Sequence, residues 1–90
     1  MPRSSVMPRF YLHLENRVGL TRDHDGQEFP DLAAARTAAA ANIRDILAEE
    51  VKHGRLDMRG LIRIADAQDP QLSVVPFAEA LAVTLEGESG

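Results

Sequence analysis

Phe29-Pro30-Asp31-Leu32-Ala33-Ala34-Ala35-Arg36-Thr37-Ala38-Ala39-Ala40-Ala41-Asn42-Ile43 is the stretch on which the fold turns. Pro30 stops whatever strand precedes it, because it has no N–H to give a ladder. Asp31 then offers a carboxylate to the free amides of a first helical turn, the chemistry of an N-cap. Behind it, Leu32, Ala35, Ala39, Ile43, Ile46, Leu47 and Val51 recur at intervals of three and four, the apolar stripe of an amphipathic helix. Alanine fills most of the remaining early positions, and no residue has a higher helix propensity. Lys52 and His53 suit the negative end of the helix dipole, and Gly54 suits the left-handed residue that closes a helix. The pattern predicts a helix from Leu32 to Lys52 or His53.

On either side the period changes from helical to alternating. Phe10, Leu12 and Leu14 fall on one face of a strand, with Tyr11, His13 and Glu15 on the other. Asn16 to Gly19 is a turn, and Leu20 to Arg22 opens a second strand. Asp23-His24-Asp25-Gly26 supplies turn residues, and Gln27 to Phe29 resumes the strand before Pro30. After the helix, Leu61 to Ala65 reads as a strand with Ile62 and Ile64 inward and Arg63 outward. Asp66 to Pro70 turns the chain into a fourth strand, Leu72 to Val75, with Leu72 and Val74 inward. Phe77, Leu81 and Leu85, spaced by four, predict a short closing helix. The expected architecture is therefore α+β: a two-layer β-β-α-β-β domain over residues 7–86, with one long helix across a four-stranded, largely antiparallel sheet. Residues 1–6 and 87–90 are expected to be flexible tails. A helix crossover of this kind could place the first strand beside the one that follows the helix.

Composition narrows the function classes. Ninety residues make one small core, which buries roughly 60–65% of the surface an unfolded chain exposes and leaves little stability to spare. The chain has no cysteine, which removes disulfides, thiolate metal sites and thiol nucleophiles and leaves oligomerisation as the usual supplement. A net charge of −4 argues against nucleic-acid binding, which requires a basic surface to displace phosphate counterions. Such binding would need Arg9, Arg17, Arg22, Arg55, Arg59 and Arg63 to gather on one face. Neither a membrane span nor a signal peptide is evident, so the cytoplasm is the expected location.

The chemistry-bearing motifs mostly resolve into structural roles. Asp23-x-Asp25-Gly26 resembles the middle of a calcium loop, but that loop would need a carboxylate at position 21 and a Glu at position 32, where Thr21 and Leu32 stand. His13, His24 and His53 lack the spacing of a helical zinc site, and no serine has the flanking glycines of a nucleophile elbow. Glu49 and Glu50 point apart on a helix and read as solvated. No metal, cofactor or catalytic residue is expected. What remains is the sheet face that a single helix leaves uncovered, and Tyr11, His13, Arg63 and Val75 are its candidate interaction residues. The expected function is a small non-enzymatic interaction module, a homodimer or a regulatory partner of another protein. The alternative is a small enzyme built around Tyr11, His13 and Arg63.

Met7-Pro8-Arg9-Phe10-Tyr11, Asp25 to Leu32 and Val75-Pro76-Phe77 together resemble a family of short bacterial proteins of unknown function that open Met-Pro-Arg-aromatic-aromatic. The resemblance spans roughly residues 7 to 82 and implies a bacterial, cytosolic protein, with no activity to carry over. Phe29-Pro30-Asp31-Leu32 is also similar, more weakly, to a step in HicB-type antitoxin domains. There Pro-Gly and a further loop come before the helix, whereas here the helix follows at once.

The cap carries the first expected outcome. Asp31→Ala should lower stability by about 1 kcal/mol, read from thermal melts of the two proteins at one pH. An unchanged midpoint would place the cap elsewhere.

Overall fold

In the computed structural model, which describes residues 7–82, Asp31 is extended and its Oδ1 accepts the Ala34 N–H at 2.9 Å. The helix α1 that it opens runs over Leu32–Lys52. At the other end His53 is the cap residue, and Gly54 takes φ +81°. There the carbonyl of Glu50 accepts N–H groups from His53 and Arg55, and that of Val51 accepts from Gly54. These bonds satisfy carbonyls that the helix itself cannot. Both ends of the predicted helix are thus where the local chemistry puts them.

The buried line of α1 is Ala35, Ala39, Ile43 and Leu47, with Leu32 and Ile46 half-buried beside it. Ala35 and Ala39 are completely covered, so the alanines bring the helix close to the sheet. Val51, the last residue of the predicted stripe, is 59% exposed, because the helix outruns the sheet it lies on.

Five strands form the sheet. β1 (Arg9–Asn16) lies between β2 (Gly19–Thr21) and β4 (Gly60–Ala65), and β5 (Ser73–Pro76) pairs with the far side of β4. β3 (Gln27–Glu28) pairs with the start of β1. Every pairing is antiparallel, and the crossover does set β1 beside β4. The returning arm is interrupted between its two pieces, where the turn residues Asp23 to Gly26 stand. Thr21 faces Leu14 and Gln27 faces Phe10, so residues 22–26 bulge off opposite residues 11–13.

Register decides which side chains meet the helix. Leu12 faces Ile64 and Leu14 faces Ile62, and these four pack inward with Phe10, Phe29, Val75 and Phe77. Ile43, Ile64 and Phe77 are the largest fully buried side chains, each contributing on the order of 2 kcal/mol by burial. β5 departs from the expected phase. Val75 pairs with Ile62 and is only 3% exposed, while Val74 pairs with Arg63 on the opposite face. Counting alternation from Leu72 causes the error, since Leu72 lies in the bend before the strand and packs on the core from there. A one-residue slip in phase exchanges the two faces.

The closing helix is shorter than expected: one 3₁₀ turn, Phe77–Ala80, after which Leu81 is extended. Leu85 and the tails at 1–6 and 87–90 lie outside the described residues, as does the last part of the predicted 7–86 domain. The turn packs on the helix side. Phe77 lies over Gly60, where a Cβ would come within 2.9 Å of its ring. Arg36 and Arg44 hold the turn and the β5 edge to α1. Arg36 donates to Ser73 Oγ, to the Val74 carbonyl at 3.1 Å and to Glu79 at 2.9 Å, and Arg44 Nε donates to the Ala80 carbonyl at 3.0 Å. Arg36 thereby occupies a backbone acceptor on an edge strand, and Pro76 contributes no N–H there.

Gly26 and Gly54 provide a matched test. Both have positive φ, but a Cβ at Gly26 would fall 2.8 Å from Tyr11 Cε2 and 2.9 Å from the Phe10 carbonyl, while nothing surrounds Gly54 within 4 Å. Gly54→Ala should cost about 1 kcal/mol and Gly26→Ala at least about 2 kcal/mol, measured by urea denaturation. Equal costs would mean that the Gly26 loop yields without resistance.

Candidate functional site: the open face of the sheet

Alternation along β1 and β4 that turns Leu12, Leu14, Ile62 and Ile64 to the helix turns Tyr11, His13, Glu15, Leu61, Arg63 and Ala65 the other way. Val74 and Pro76 of β5 and Leu20 of β2 join them by register. No described element covers this face. Three of the four residues expected there, Tyr11, His13 and Arg63, are brought together. The fourth, Val75, is a core residue and does not belong to the site.

His13 is directly opposite Arg63, and the rings of Tyr11 and His13 are nearly parallel, with centroids 6.5 Å apart. Arg63 does not reach for His13. Its Nε donates to Glu15 Oε2 at 2.7 Å, a diagonal pair, and Nη1 makes a longer bond to Gln71 at 3.4 Å. The hydrogen bond from Arg63 outweighs partial burial and holds the Glu15 carboxyl below its ordinary value, while Glu15 raises Arg63 in turn. Both groups stay charged and fixed across the face.

The bulged loop Arg22–Gly26 sets the orientation of His13. With β2 ended and β3 not yet begun, the Leu12 N–H on β1 has no strand partner, and Asp23 Oδ2 accepts it at 3.1 Å. Asp23 Oδ1 accepts the Gly26 N–H at 3.0 Å. Burial disfavours the Asp23 charge, but the backbone N–H groups of Leu12, Gly26 and Asp25 outweigh it and leave the carboxyl below its ordinary 3.8. The calcium-like motif is therefore a sheet-edge device whose oxygens are turned onto the backbone. The Asp23 N–H in turn donates to His13 Nδ1 at 3.0 Å. A ring nitrogen that accepts carries no proton, so the neutral imidazole presents Nε2–H.

Beside these residues lies a shallow groove of ≈ 230 Å³ lined by His13, Glu15, Leu20, Arg22, Arg63, Pro70 and Gln71. Sequence reasoning missed Leu20, Arg22, Pro70 and Gln71. Glu15 was legible, since it shares the alternation of Tyr11 and His13, but Leu20 reaches the groove from β2 and the others from loops whose position only the pairing reveals. Leu20 is 50% exposed there. Arg22 is exposed and has no carboxylate partner among the described residues.

The other arginines are dispersed. Arg9 pairs with Glu28, while Arg17 and Arg59 converge on Asp57 at 2.7 and 3.0 Å, at the end of the sheet nearest the C-terminus of α1. The bonds from Arg59 and then Arg17 hold Asp57 far below the usual carboxylate range. Glu50 is not simply solvated: its Oε1 accepts the Asp57 N–H at 2.9 Å, whereas Glu49 is exposed beside Lys52 and His53. Among the described residues, no helix is long and apolar enough to cross a membrane, and no three His, Asp or Glu side chains gather as a metal site would require.

Fold and face together define a small α+β domain whose described helix and turn pack on one side of the sheet. The chain belongs to a family known as a domain of unknown function, DUF6894, whose model matches residues 9–78, from the first residue of β1 into the 3₁₀ turn. No curated protein and no solved structure matches it.

Three depressed carboxyls make stability depend on acid. A carboxyl lowered by folding contributes fully above its unfolded value and loses that contribution as pH falls through the folded one. The melting temperature should hold from neutrality to about pH 5 and drop between about pH 4 and pH 2. Asp23→Asn should flatten that drop and lower the neutral plateau. A slope identical to wild type would remove Asp23 from the linkage.

Proposed function

We propose that this domain is a non-enzymatic interaction module of the bacterial cytoplasm that works through the open face of its sheet, either as a homodimer or as the regulatory partner of another protein. The observation that carries the reading is the uncovered surface itself. Tyr11, Leu20, Leu61, Val74 and Pro76 alternate there with charged groups already locked in place. Such mixed, pre-ordered surfaces suit protein contacts. The enzymatic alternative at Tyr11, His13 and Arg63 has less support. Arg63 is tied to Glu15, His13 Nδ1 to the Asp23 amide, and the adjoining groove is shallow.

Size limits the strength of association. Strands ~4.8 Å apart with ~3.3 Å per residue give this face a footprint on the order of 300 Å², against the ~800 Å² per partner of a standard interface. A dimer through this face must recruit the loops at residues 22–26 and 66–72, and it should be micromolar rather than obligate. Light scattering across a concentration series should give a mass rising from 9.9 kDa towards twice that value. Leu61→Arg, between Glu15 and Pro76 on this face, should hold the mass at 9.9 kDa. A wild-type protein that stays monomeric rejects the dimer, and a dimer unaffected by Leu61→Arg rejects this face as its seam.

A further inference from the structure

Resting on the reading of the open face as an interaction surface, we propose that the groove beside His13 takes a carboxylate-bearing segment of a protein partner, with an apolar side chain next to the acid. The local charge points that way. Two guanidinium groups, Arg22 and Arg63, meet a single carboxylate, Glu15, in a chain whose net charge is −4. The groove lining thus carries one positive charge more than its acid, with the Asp23 and Asp69 carboxylates beside it engaged by backbone N–H groups, and complementary potential steers a partner to it. The donors agree with the charge. Nδ1 of His13 is occupied as an acceptor by the Asp23 N–H, so the ring lining the groove has Nε2 left as its donor. Arg22 has no carboxylate of its own among the described residues, while Arg63 is held in place by Glu15 and Gln71. A carboxylate is the side chain that accepts from all three without donating. Leu20, half-exposed, and Pro70 form the apolar wall. The groove holds little more than one or two side chains, which fits an acid and its neighbour rather than a folded surface.

Glu15 makes the proposal sharply testable, because it is the carboxylate in the groove that competes for Arg63. The probes are acetyl-Ser-Glu-Leu-Glu-Ser-amide and its counterpart with Gln for both Glu residues, titrated into isotopically labelled protein under conditions where light scattering gives the monomer mass. The acidic peptide should shift the His13, Leu20 and Gln71 resonances saturably, and the Gln peptide should not. Arg22→Gln should weaken binding about threefold, the scale of one exposed ion pair. Glu15→Gln should tighten it by a similar factor, since it frees Arg63 and removes the repelling charge. Equal binding of both peptides, shifts confined to other parts of the chain, or no tightening on Glu15→Gln would overturn the proposal. The spectra themselves report whether each variant is folded. If the peptides fail while Leu61→Arg still abolishes self-association, the acidic-segment inference falls and the interaction face stands. If both fail, the face is not an interaction surface.

Discussion

The antiparallel pairing of β1 with β4, with Leu12 opposite Ile64 and Leu14 opposite Ile62, is the contact from which the remaining structure follows. Because side chains alternate, this one register sends four branched aliphatic residues to the helix and sends Tyr11, His13, Glu15, Leu61, Arg63 and Ala65 to the other side. The helix supplies the matching surface with Ala35 and Ala39 where it must approach closely and Ile43 and Leu47 where there is room to fill. A slip of one residue would bury Arg63 and Glu15 against apolar helix and expose both isoleucines. The desolvation of that ion pair alone would disfavour the alternative.

The edges of the sheet are managed by side chains rather than by further strands. At the β5 edge Arg36 occupies a backbone acceptor, and Pro76 ends the strand without an N–H to offer. At the opposite edge the returning arm is broken, and the Asp23 carboxylate stands in for a missing backbone carbonyl opposite Leu12. That substitution has a consequence on the open face, because the same loop uses its Asp23 N–H to hold one nitrogen of His13. Structure at the edge thus sets the chemistry of the face. The face is consequently pre-ordered, with Arg63, Glu15 and His13 each held before any partner arrives, which lowers the entropic cost of binding.

Family membership agrees with this division of labour. The matched residues 9–78 begin with β1 and end within the turn that buries Phe77, so the family unit contains the whole sheet, the helix and every residue of the groove. Of the exposed apolar residues away from the groove, Met7 and Val18 stand singly, as is ordinary, and Val51 and Leu56 lie together where the helix ends.

Sequence by itself determined the elements whose cause is local. The Asp31 cap, the three-and-four spacing behind it and Gly54 specify the helix almost residue by residue, since capping and periodicity act within one or two turns. The alternation of β1 and of residues 61–65 likewise separates Tyr11, His13 and Arg63 from the core without knowledge of any partner. Tertiary structure alone decided what depends on contact between distant segments. The phase of β5 was one such feature, for Leu72 and Val75 are both apolar and only pairing with Ile62 shows which belongs to the strand interior. The closing helix was another: Phe77 and Leu81 have helical spacing, but packing Phe77 over Gly60 and securing Ala80 to Arg44 leaves one 3₁₀ turn. The groove was the third. Its Arg63–Glu15 ion pair, its oriented imidazole and Arg22, which has no carboxylate partner among the described residues, come from three separate segments, and a charge has no partner in a sequence until the fold brings one within a few ångströms.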